Sequence, residues 1–334
     1  MLVKVGAGLG NQMFHYAFAR AMQQKGYDIL LDASGYESVC GGGGSNIRLL
    51  ELEHFNLSIP LCKDSARVRR YLLKHDKLLP LKFLYNRLRY RLIKLMRKRE
   101  SYKPDFCELY AHIVWGEEGV ANDRVMRHYV DKSFLPHAFP YGVNMSIVYC
   151  NDVYDLLKDD FRLKTPLRPD NMIRKNKILS TANSVFLHVR RGDYLQSNGL
   201  YVMLGATYYQ NAIEILKTKI KNPHIFIFSN DMPWCKENLA RYVDFSGCVV
   251  EFVEGNTEGN AAEELELMRS CRHAIIANST FSWWAAYLIE NPQKIVIMPR
   301  NYLNDSARFP VEQFFPAKGW ILIESIWGDI QVKQ

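Results

Sequence analysis

The chain lacks several features that would place it in common classes of protein. Its apolar runs fall far short of the roughly 20 residues that span a membrane. Its 7 cysteines form no C-x-x-C pair, which argues against a disulfide framework and against a zinc site. No two aspartates stand one residue apart, so the D-x-D element that holds a divalent cation in many enzymes is missing. We therefore expect neither a metal nor a cofactor.

The residues that are present are typical of a soluble globular protein. The 334 residues are 48% hydrophobic and 23% charged, and a chain of this length is expected to form two domains. Strand-forming residues follow Met1 directly, without the charged and apolar segments of a signal peptide. We therefore expect a cytoplasmic protein.

Positive charge is concentrated in one segment. Residues 67–100 contain 13 Lys and Arg against Asp76 and Glu100, a net charge of +11, so the rest of the chain contributes −3 to the total of +8. Apolar residues recur at helical spacing within 81–99, which predicts a basic amphipathic helix. Such a helix can be an ordinary surface helix, or it can make a peripheral contact with an anionic inner membrane. No nucleic-acid-binding motif accompanies the charge, so no nucleic-acid partner is expected.

Strand and helix patterns alternate along the chain, which predicts parallel sheets covered by helices. In the first half, a strand is predicted at 3–5, a helix at 12–25 and a second strand at 28–32. The predicted strands of the second half are 185–189, 224–228, 248–253, 274–277 and 294–298. The proline-rich stretch 165–169 is the expected linker. We therefore predict an N-terminal domain at 1–165 and a C-terminal domain at 166–334.

The most informative segment is the strand-like run 185–189, with the polar residues that follow it. Arg190, Arg191 and, after a glycine, Asp193 come next. The carboxyl ends of strands in an open α/β sheet bind ligands, and the planar fork of arginine matches phosphate oxygens. The pair therefore suggests a site for a diphosphate leaving group, and Asp193 suggests a proton acceptor. Two simpler interpretations stay open: the arginines pair with surface carboxylates, and Asp193 is an ordinary turn residue.

A second segment, 278–288, follows the strand-like run 274–277. Asn278, Ser279 or Thr280 can cap the helix that begins there. A helix N-terminus with small hydroxyl side chains is a ready site for an anion. The hydroxyls can equally be caps and nothing more.

A glycine-rich turn, Gly6 to Asn11, follows the first predicted strand. Its glycines permit close approach of the backbone to a ligand, and Asp32 follows about 20 residues later, as in a dinucleotide fingerprint. The position of the third fingerprint glycine is Asn11, however, so a tight strand-to-helix turn explains the segment as well. A nucleotide-dependent oxidoreductase is therefore the weaker hypothesis.

Together these motifs resemble one family, the bacterial α-1,2-fucosyltransferases of glycosyltransferase family 11. The similar blocks are His-Val-Arg-Arg-Gly-Asp-Tyr at 188–194, Phe-Ser-Asn-Asp at 228–231, and Asn-Ser-Thr-Phe-Ser-Trp-Trp-Ala-Ala-Tyr-Leu at 278–288. The opening Gly-Leu-Gly-Asn-Gln-Met-Phe-His-Tyr-Ala-Phe-Ala-Arg is also similar to the start of those enzymes. The resemblance thins between residues 34 and 105.

The resemblance implies an α/β fold of the GT-B type, in which two Rossmann-like domains face each other across a cleft. It also implies inverting transfer of L-fucose from GDP-β-L-fucose to the 2-hydroxyl of a terminal β-galactoside, forming Fucα1-2Gal in surface glycans of the O-antigen or capsule type. GDP-fucose and a galactose-terminated oligosaccharide are then the substrates. The alternatives are a fucosyltransferase of another linkage, such as α-1,6, and a non-catalytic sugar-nucleotide-binding protein.

The resemblance further implies a set of donor-binding residues. They are Arg190, Arg191, His188, Asn11, Asp231, Asn278, Ser279, Thr280 and Phe281. Without a metal, arginine must neutralise the departing diphosphate, and Arg190 occupies the position of the family's diphosphate-binding arginine. Strand alternation turns His188 to the same side as Arg190, although a buried core histidine is the simpler interpretation. Asp231 is expected either to accept bonds from guanine or to cap the helix ahead of Pro233.

The predicted catalytic residues are Asp193, Arg190 and His188. Asp193 is the candidate base because its motif lies near the expected anomeric centre. A good base needs a raised pKa, whereas neighbouring arginines lower the pKa of a carboxyl, which favours an orienting role for Asp193. Another carboxylate, or a histidine such as His15, is the alternative base.

Overall fold

The chain folds into two compact units. The computed structural model describes residues 1–36, 49–75, 138–139, 147–196, 199, 201–256, 258–304 and 316–325. The units are Met1–Arg162 and Leu163–Gln334, and they divide close to the predicted boundary between residues 165 and 166. The basic helix predicted at 81–99 lies outside the described residues.

The first unit is built on a parallel sheet with the strand order β3-β2-β1-β4. Its strands are β1 (Leu2–Lys4), β2 (Leu30–Asp32), β3 (Leu61–Cys62) and β4 (Ala138–Phe139). Its helices are α1 (Leu9–Gln24), α2 (Ser65–His75), α3 (Ile147–Asp152) and α4 (Tyr154–Asp160). Helix α1 begins earlier than the sequence predicts, because Gly8 takes an extended backbone and its carbonyl accepts hydrogen bonds from Asn11 and Gln12. The glycine-rich segment is therefore a tight turn from a strand into a helix.

A buried carboxylate joins the two ends of the first unit. Asp160, at the end of α4, accepts hydrogen bonds from the Tyr16 hydroxyl at 2.7 Å and from Arg20 Nε at 2.8 Å. The Ser58 hydroxyl donates to its other oxygen. A buried charge is tolerated only when it is paired and hydrogen-bonded in this way. The arrangement fixes α4 against α1, so the role of Asp160 is structural.

The second unit is built on a larger parallel sheet with the strand order β10-β9-β8-β5-β6-β7. Its strands are β5 (Ser184–Val189), β6 (His224–Ser229), β7 (Val249–Phe252), β8 (His273–Ile275), β9 (Val296–Pro299) and β10 (Ile321–Ile323). Its main helices are α5 (Pro169–Ser180), α6 (Ala206–Lys219), α7 (Ala261–Arg269) and α8 (Thr280–Tyr287). A further helical segment after β6 comprises Met232–Trp234, a π-helical turn Cys235–Leu239, and Ala240–Tyr242.

This strand order is that of the six-stranded Rossmann fold. The chain runs outward from β5 through β6 to β7, then crosses to β8 on the other side of β5 and runs outward again. Ligands of such sheets bind outside the carboxyl ends of the strands, where the order reverses. The reversal here lies between β5 and β8. The predicted α/β class is confirmed, since both units combine a parallel sheet with helices.

The two faces of β5 serve different purposes. Every residue of β5 is buried, as expected for a strand covered by helices on both sides. Val185, Leu187 and Val189 pack in a cluster with apolar residues of α6. The alternate residue His188 lies on the opposite face, where its ring centre is 6.0 Å from that of Phe281 at the start of α8. Strand alternation therefore places His188 beside a helix N-terminus.

Candidate active site

The predicted site residues of the second unit follow three neighbouring strands. Arg190 and Arg191 come directly after β5, Asp231 comes shortly after β6, and Asn278 and Ser279 come shortly after β8. The strands are parallel and adjacent in the order β8-β5-β6, so their carboxyl ends meet at one edge of the sheet. The sheet therefore brings these residues together at the reversal of strand order.

Arg190 is held by an ion pair within its own loop. Its Nη2 donates to Asp193 Oδ2 at 2.7 Å, and the two side chains are only 18% and 20% exposed. Its guanidinium carbon lies 5.7 Å from the centre of the Tyr194 ring. Within the described residues its buried Nε has no hydrogen-bond partner. The guanidinium is thus positioned on one side and keeps donors for an anion on the other.

Asn230 is a member of the site that the sequence analysis did not single out. Its Nδ2 donates to Asp193 Oδ1 at 3.1 Å, and its Oδ1 accepts from the Arg191 backbone N–H at 3.0 Å. Asn230 also packs against Gly192. A Cβ at position 192 would lie 2.8 Å from Asn230 Nδ2, so any residue other than glycine would displace the Asn230 side chain. Asn230 therefore ties the loop after β5 to the end of β6.

Arg191 and Asp231 hold each other. Arg191 Nε lies 3.2 Å from Asp231 Oδ2, and the guanidinium carbon sits 4.3 Å from the centre of the Trp234 ring. Asp231 Oδ1 accepts a weak bond of 3.4 Å from the Trp234 backbone N–H, so Asp231 caps the helical segment that follows. The capping interpretation of Asp231 is observed directly. Arg191 accordingly shapes the local loop.

His188 is a buried neutral imidazole. Burial lowers the pKa of His188 to about 3, and the Arg190 charge contributes to the lowering. Its Nδ1 is buried and, in the part of the chain that the structure describes, meets no hydrogen-bond partner. A buried polar atom that lacks a partner is costly and points to a ligand that supplies one. His188 is therefore buried like a core residue, but its Nδ1 is available to hydrogen-bond a ligand at the site.

The start of α8 forms the third side of the site. Ser279 caps the helix by accepting from the Phe281 backbone N–H at 3.3 Å, and Thr280 and Phe281 form the first turn. The first turn contains no acidic residue, so the positive end of the helix dipole is open to an anion.

Asn278 supports this helix start. Its Nδ2 donates to the carbonyls of Val202 and Tyr302 at 2.7 and 3.0 Å, and its own carbonyl accepts from the Tyr194 hydroxyl at 2.7 Å. Asn278 therefore anchors three segments to one another. Its buried Oδ1 has no hydrogen-bond partner within the described part of the chain and can accept a bond from a ligand.

Glu264, on the first turns of α7, also belongs to the surroundings of Arg190. Burial raises the pKa of its carboxyl to about 7, and the charge of Arg190 counteracts part of that rise. No sequence signal identified this residue, because the run Glu263-Glu264-Leu265-Glu266 is typical of an ordinary amphipathic helix. Only the fold shows that one of its glutamates approaches Arg190.

Asn11 and His15 belong to the first unit. Asn11 lies in the first turn of α1, where its backbone N–H donates to the Gly8 carbonyl at 3.0 Å. Burial lowers the pKa of His15 to about 4, and its Nδ1 lies 3.4 Å from the backbone nitrogen of Gly6. A buried histidine with so low a pKa is a weak base, which argues against His15 as the general base.

Two features of other classes of protein are absent from the described residues. No helix among them is both long and apolar enough to cross a membrane. Within the same residues, no three side chains of His, Cys, Asp or Glu converge as metal ligands.

Comparison with known proteins identifies the family. Residues 122–324, well over half of the chain, match the model of Glycosyl transferase family 11. The chain belongs to glycosyltransferase family 11. It is therefore a glycosyltransferase, and the resemblance predicted from the sequence blocks is confirmed.

Relatives of this family 11 enzyme include two proteins of Escherichia coli that match over nearly the whole length. The O-antigen biosynthesis glycosyltransferase WbnK is 28% identical over 93% of this chain and 98% of its own. The alpha-1,2-colitosyltransferase is 26% identical over 97% and 99%. Galactoside alpha-(1,2)-fucosyltransferase 1 of Bos taurus is 38% identical over a shorter stretch, 31% of this chain and 29% of its own. Two of these three relatives are thus named as α-1,2 transferases, one of colitose and one of fucose.

Proposed function

We propose that this enzyme transfers L-fucose from GDP-β-L-fucose to the 2-hydroxyl of a terminal β-galactoside, with inversion, to form Fucα1-2Gal. The observation that carries the proposal is the convergence of Arg190, His188 and the α8 N-terminus at one edge of the Rossmann sheet. An arginine and a helix N-terminus are groups that bind phosphate oxygens, which supports a diphosphate as the ligand. The α-1,2 linkage in the names of the relatives supports the acceptor position.

Different residues of the site have different roles in donor cleavage. Expelling GDP leaves negative charge on the β-phosphate, and Arg190 and the backbone N–H groups at the start of α8 stabilise that charge. His188, neutral at physiological pH, offers a hydrogen bond without adding charge. Asp193 holds the Arg190 guanidinium in place.

The departing GDP leaves an oxocarbenium-like sugar, and the acceptor hydroxyl attacks from the opposite face. The proton of that hydroxyl passes to a base on the acceptor side. Because the sugar cation makes the hydroxyl more acidic as the bond forms, a weak base is sufficient. No metal is required in this scheme, since arginine and the helix dipole balance the diphosphate charge.

A second donor is favoured by one specific observation. A relative that matches 97% of this chain is named an α-1,2-colitosyltransferase. Colitose is L-fucose without its 3-hydroxyl, so the same diphosphate site accepts its nucleotide sugar unless a side chain requires that hydroxyl. The nucleotide sugars of fucose and colitose are therefore alternative candidates for the donor that binds at this site.

We also propose that the enzyme works at the cytoplasmic face of the membrane, as a peripheral protein that contributes to O-antigen or capsule synthesis. Helix α2 exposes Arg67, Arg69, Arg70 and Lys74 on its surface. Each basic residue near an anionic bilayer adds about 1 kcal/mol of attraction. Cosedimentation with anionic vesicles, but not with neutral ones, is the expected result.

The donor is tested by release of GDP in the presence of EDTA, with GDP-L-fucose, GDP-colitose and GDP-D-mannose compared and with lactose or lacto-N-biose as acceptor. We expect release that depends on the acceptor and is fastest with GDP-L-fucose. Faster release from GDP-colitose would select the second donor. Binding of the donor without release to any β-galactoside would instead support a non-catalytic sugar-nucleotide-binding protein.

A further inference from the structure

Glu264 lies on α7, and its carboxyl receives no hydrogen bond from the described residues. Its neighbour Glu263 receives hydrogen bonds from Arg168 and Asn171 at 3.1 and 2.8 Å. Glu266, two residues after Glu264, pairs with Lys175 and Arg269, each at 2.6 Å. For Glu264 the described residues supply no hydrogen-bond donor, and the one charge that acts on it is Arg190.

The position of Glu264 follows from the fold. Helix α7 is the connection from β7 back to β8, so its first turns stand at the carboxyl edge of the sheet. Arg190 lies at this same edge, directly after β5. The residue is partly buried and keeps some exposed surface, so a ligand can reach it. A partly buried carboxyl to which the described residues supply no donor is available to a ligand. His188 Nδ1 and Asn278 Oδ1, which follow or lie on neighbouring strands, also lack hydrogen-bond partners among the described residues.

The stereochemistry of the transfer decides which part of the substrate Glu264 meets. In an inverting displacement the base stands on the face of the sugar opposite to the leaving group. Glu264 stands beside Arg190, the residue that holds the leaving diphosphate, so it is on the wrong side to be that base. In its ionised form it repels the negatively charged diphosphate. Of the two groups that flank the diphosphate, the nucleoside is the one that lies away from the reacting sugar carbon.

Guanine complements a carboxyl better than any other common base does. Its N1–H and 2-amino group are adjacent donors that match the two oxygens of one carboxylate. The sequence suggests Asp231 for this task, but both Asp231 oxygens are engaged, one with Arg191 and one with the Trp234 backbone N–H. Glu264 has both oxygens available.

We propose that Glu264 recognises the N1–H and 2-amino edge of guanine and thereby selects a guanosine diphosphate sugar as donor. This inference rests on the proposed function, since it assumes that the donor carries a nucleoside diphosphate at the Arg190 site. It assigns the specificity for the base to α7 and the affinity for the diphosphate to the loop after β5 and the start of α8. The two contributions are therefore separable by substitution.

The experiment is calorimetric titration with GDP, IDP, ADP and inorganic pyrophosphate. IDP lacks only the 2-amino group, and ADP lacks both guanine donors. The wild-type enzyme is expected to bind GDP about 10-fold or more tightly than IDP, and ADP more weakly still. Glu264→Gln should weaken GDP binding by about 10-fold or more, bring GDP and IDP close together, and leave pyrophosphate binding undiminished. Glu290→Gln, at an exposed position, is the matched control and should change none of these affinities.

Several outcomes overturn the inference. If the wild-type enzyme binds GDP and IDP equally, there is no recognition of the 2-amino group, and this comparison needs no variant to fold. If Glu264→Gln leaves the ratio of GDP to IDP affinity unchanged, or weakens pyrophosphate as much as GDP, Glu264 acts on Arg190 and not on the base. If the wild-type enzyme binds neither GDP nor pyrophosphate, the proposed function fails together with this inference. Binding of GDP without discrimination overturns the inference alone.

Discussion

The guanidinium of Arg190 donates to the carboxylate of Asp193, with Nη2 and Oδ2 2.7 Å apart. The second carboxylate oxygen accepts from Asn230 Nδ2. A carboxylate that is engaged at both oxygens and paired with a cation is stabilised in its ionised form and is a poor proton acceptor. The structure therefore favours an orienting role for Asp193, with Arg190 as the group that it orients.

Asp193→Asn tests this role. The amide keeps the size of the side chain and one acceptor but loses the charge, so the guanidinium is held less firmly. We expect turnover to fall by about 10-fold, with the pH dependence of kcat/KM unchanged in shape. Turnover should be compared over a range of pH with saturating acceptor. Complete loss of transfer, together with loss of the ascending limb of the pH profile, would show that Asp193 is the base.

Arg190→Ala should remove most of the transition-state stabilisation. A single donor aimed at developing negative charge contributes about 10²–10³ in kcat in comparable sites, so we expect a loss of at least that size. Arg190→Lys should recover only part of it, because lysine lacks the planar fork. Arg241→Ala, at an exposed position of the same unit, is the matched control. Near-normal turnover of Arg190→Ala with an unchanged melting temperature would remove the diphosphate role.

The strands and helix starts that carry the site could be predicted from the sequence, whereas the side-chain contacts between them could not. The strand–helix alternation of the second half predicted β5, β6 and β8, and the blocks that follow them supplied Arg190, Asp231 and Ser279. Local patterns carry this information because strand ends and helix caps depend on neighbouring residues.

Two contributors escaped the sequence analysis because their roles arise from tertiary contacts. Asn230 matters because it touches Gly192 and Asp193, which lie far from it in sequence. Glu264 matters because α7 starts at the same sheet edge as Arg190, and nothing in its local sequence distinguishes it from Glu263 or Glu266. The helical pattern predicted within 81–99 stays a prediction.

Glu264 should also make stability depend on pH. Burial raises its pKa to about 7 in the folded state from an ordinary value of 4.5. A raised carboxyl pKa means that its stabilising contribution is complete below about pH 4.5 and is lost as the pH rises through about 7. Glu264→Gln stays neutral throughout. The melting temperature of Glu264→Gln minus that of the wild type should therefore increase by about 4 °C between pH 5 and pH 8. A difference that does not change with pH would contradict the buried, ionisable environment.

Lys294 fastens the end of α8, and its removal should destabilise the second unit. Its Nζ donates to the carbonyls of Ala286, Tyr287 and Ile289 at 3.0, 2.7 and 2.9 Å, at the C-terminal end of the helix dipole. Lys294→Met keeps the apolar stem but leaves these carbonyls without a donor, which costs about 1–3 kcal/mol. We expect a melting temperature lower by about 4 °C by calorimetry. Lys221→Met, at an exposed position, should change it little.

The most direct test of the account is the linkage of the product. The enzyme is incubated with GDP-L-fucose and lactose in excess EDTA, and the trisaccharide is examined by heteronuclear NMR. We predict a three-bond correlation between fucose H1 and galactose C2, the small anomeric coupling of an α-fucoside, and no loss of rate from the chelator. A product linked through another galactose carbon, or activity that disappears with EDTA and returns with a divalent cation, would contradict the account.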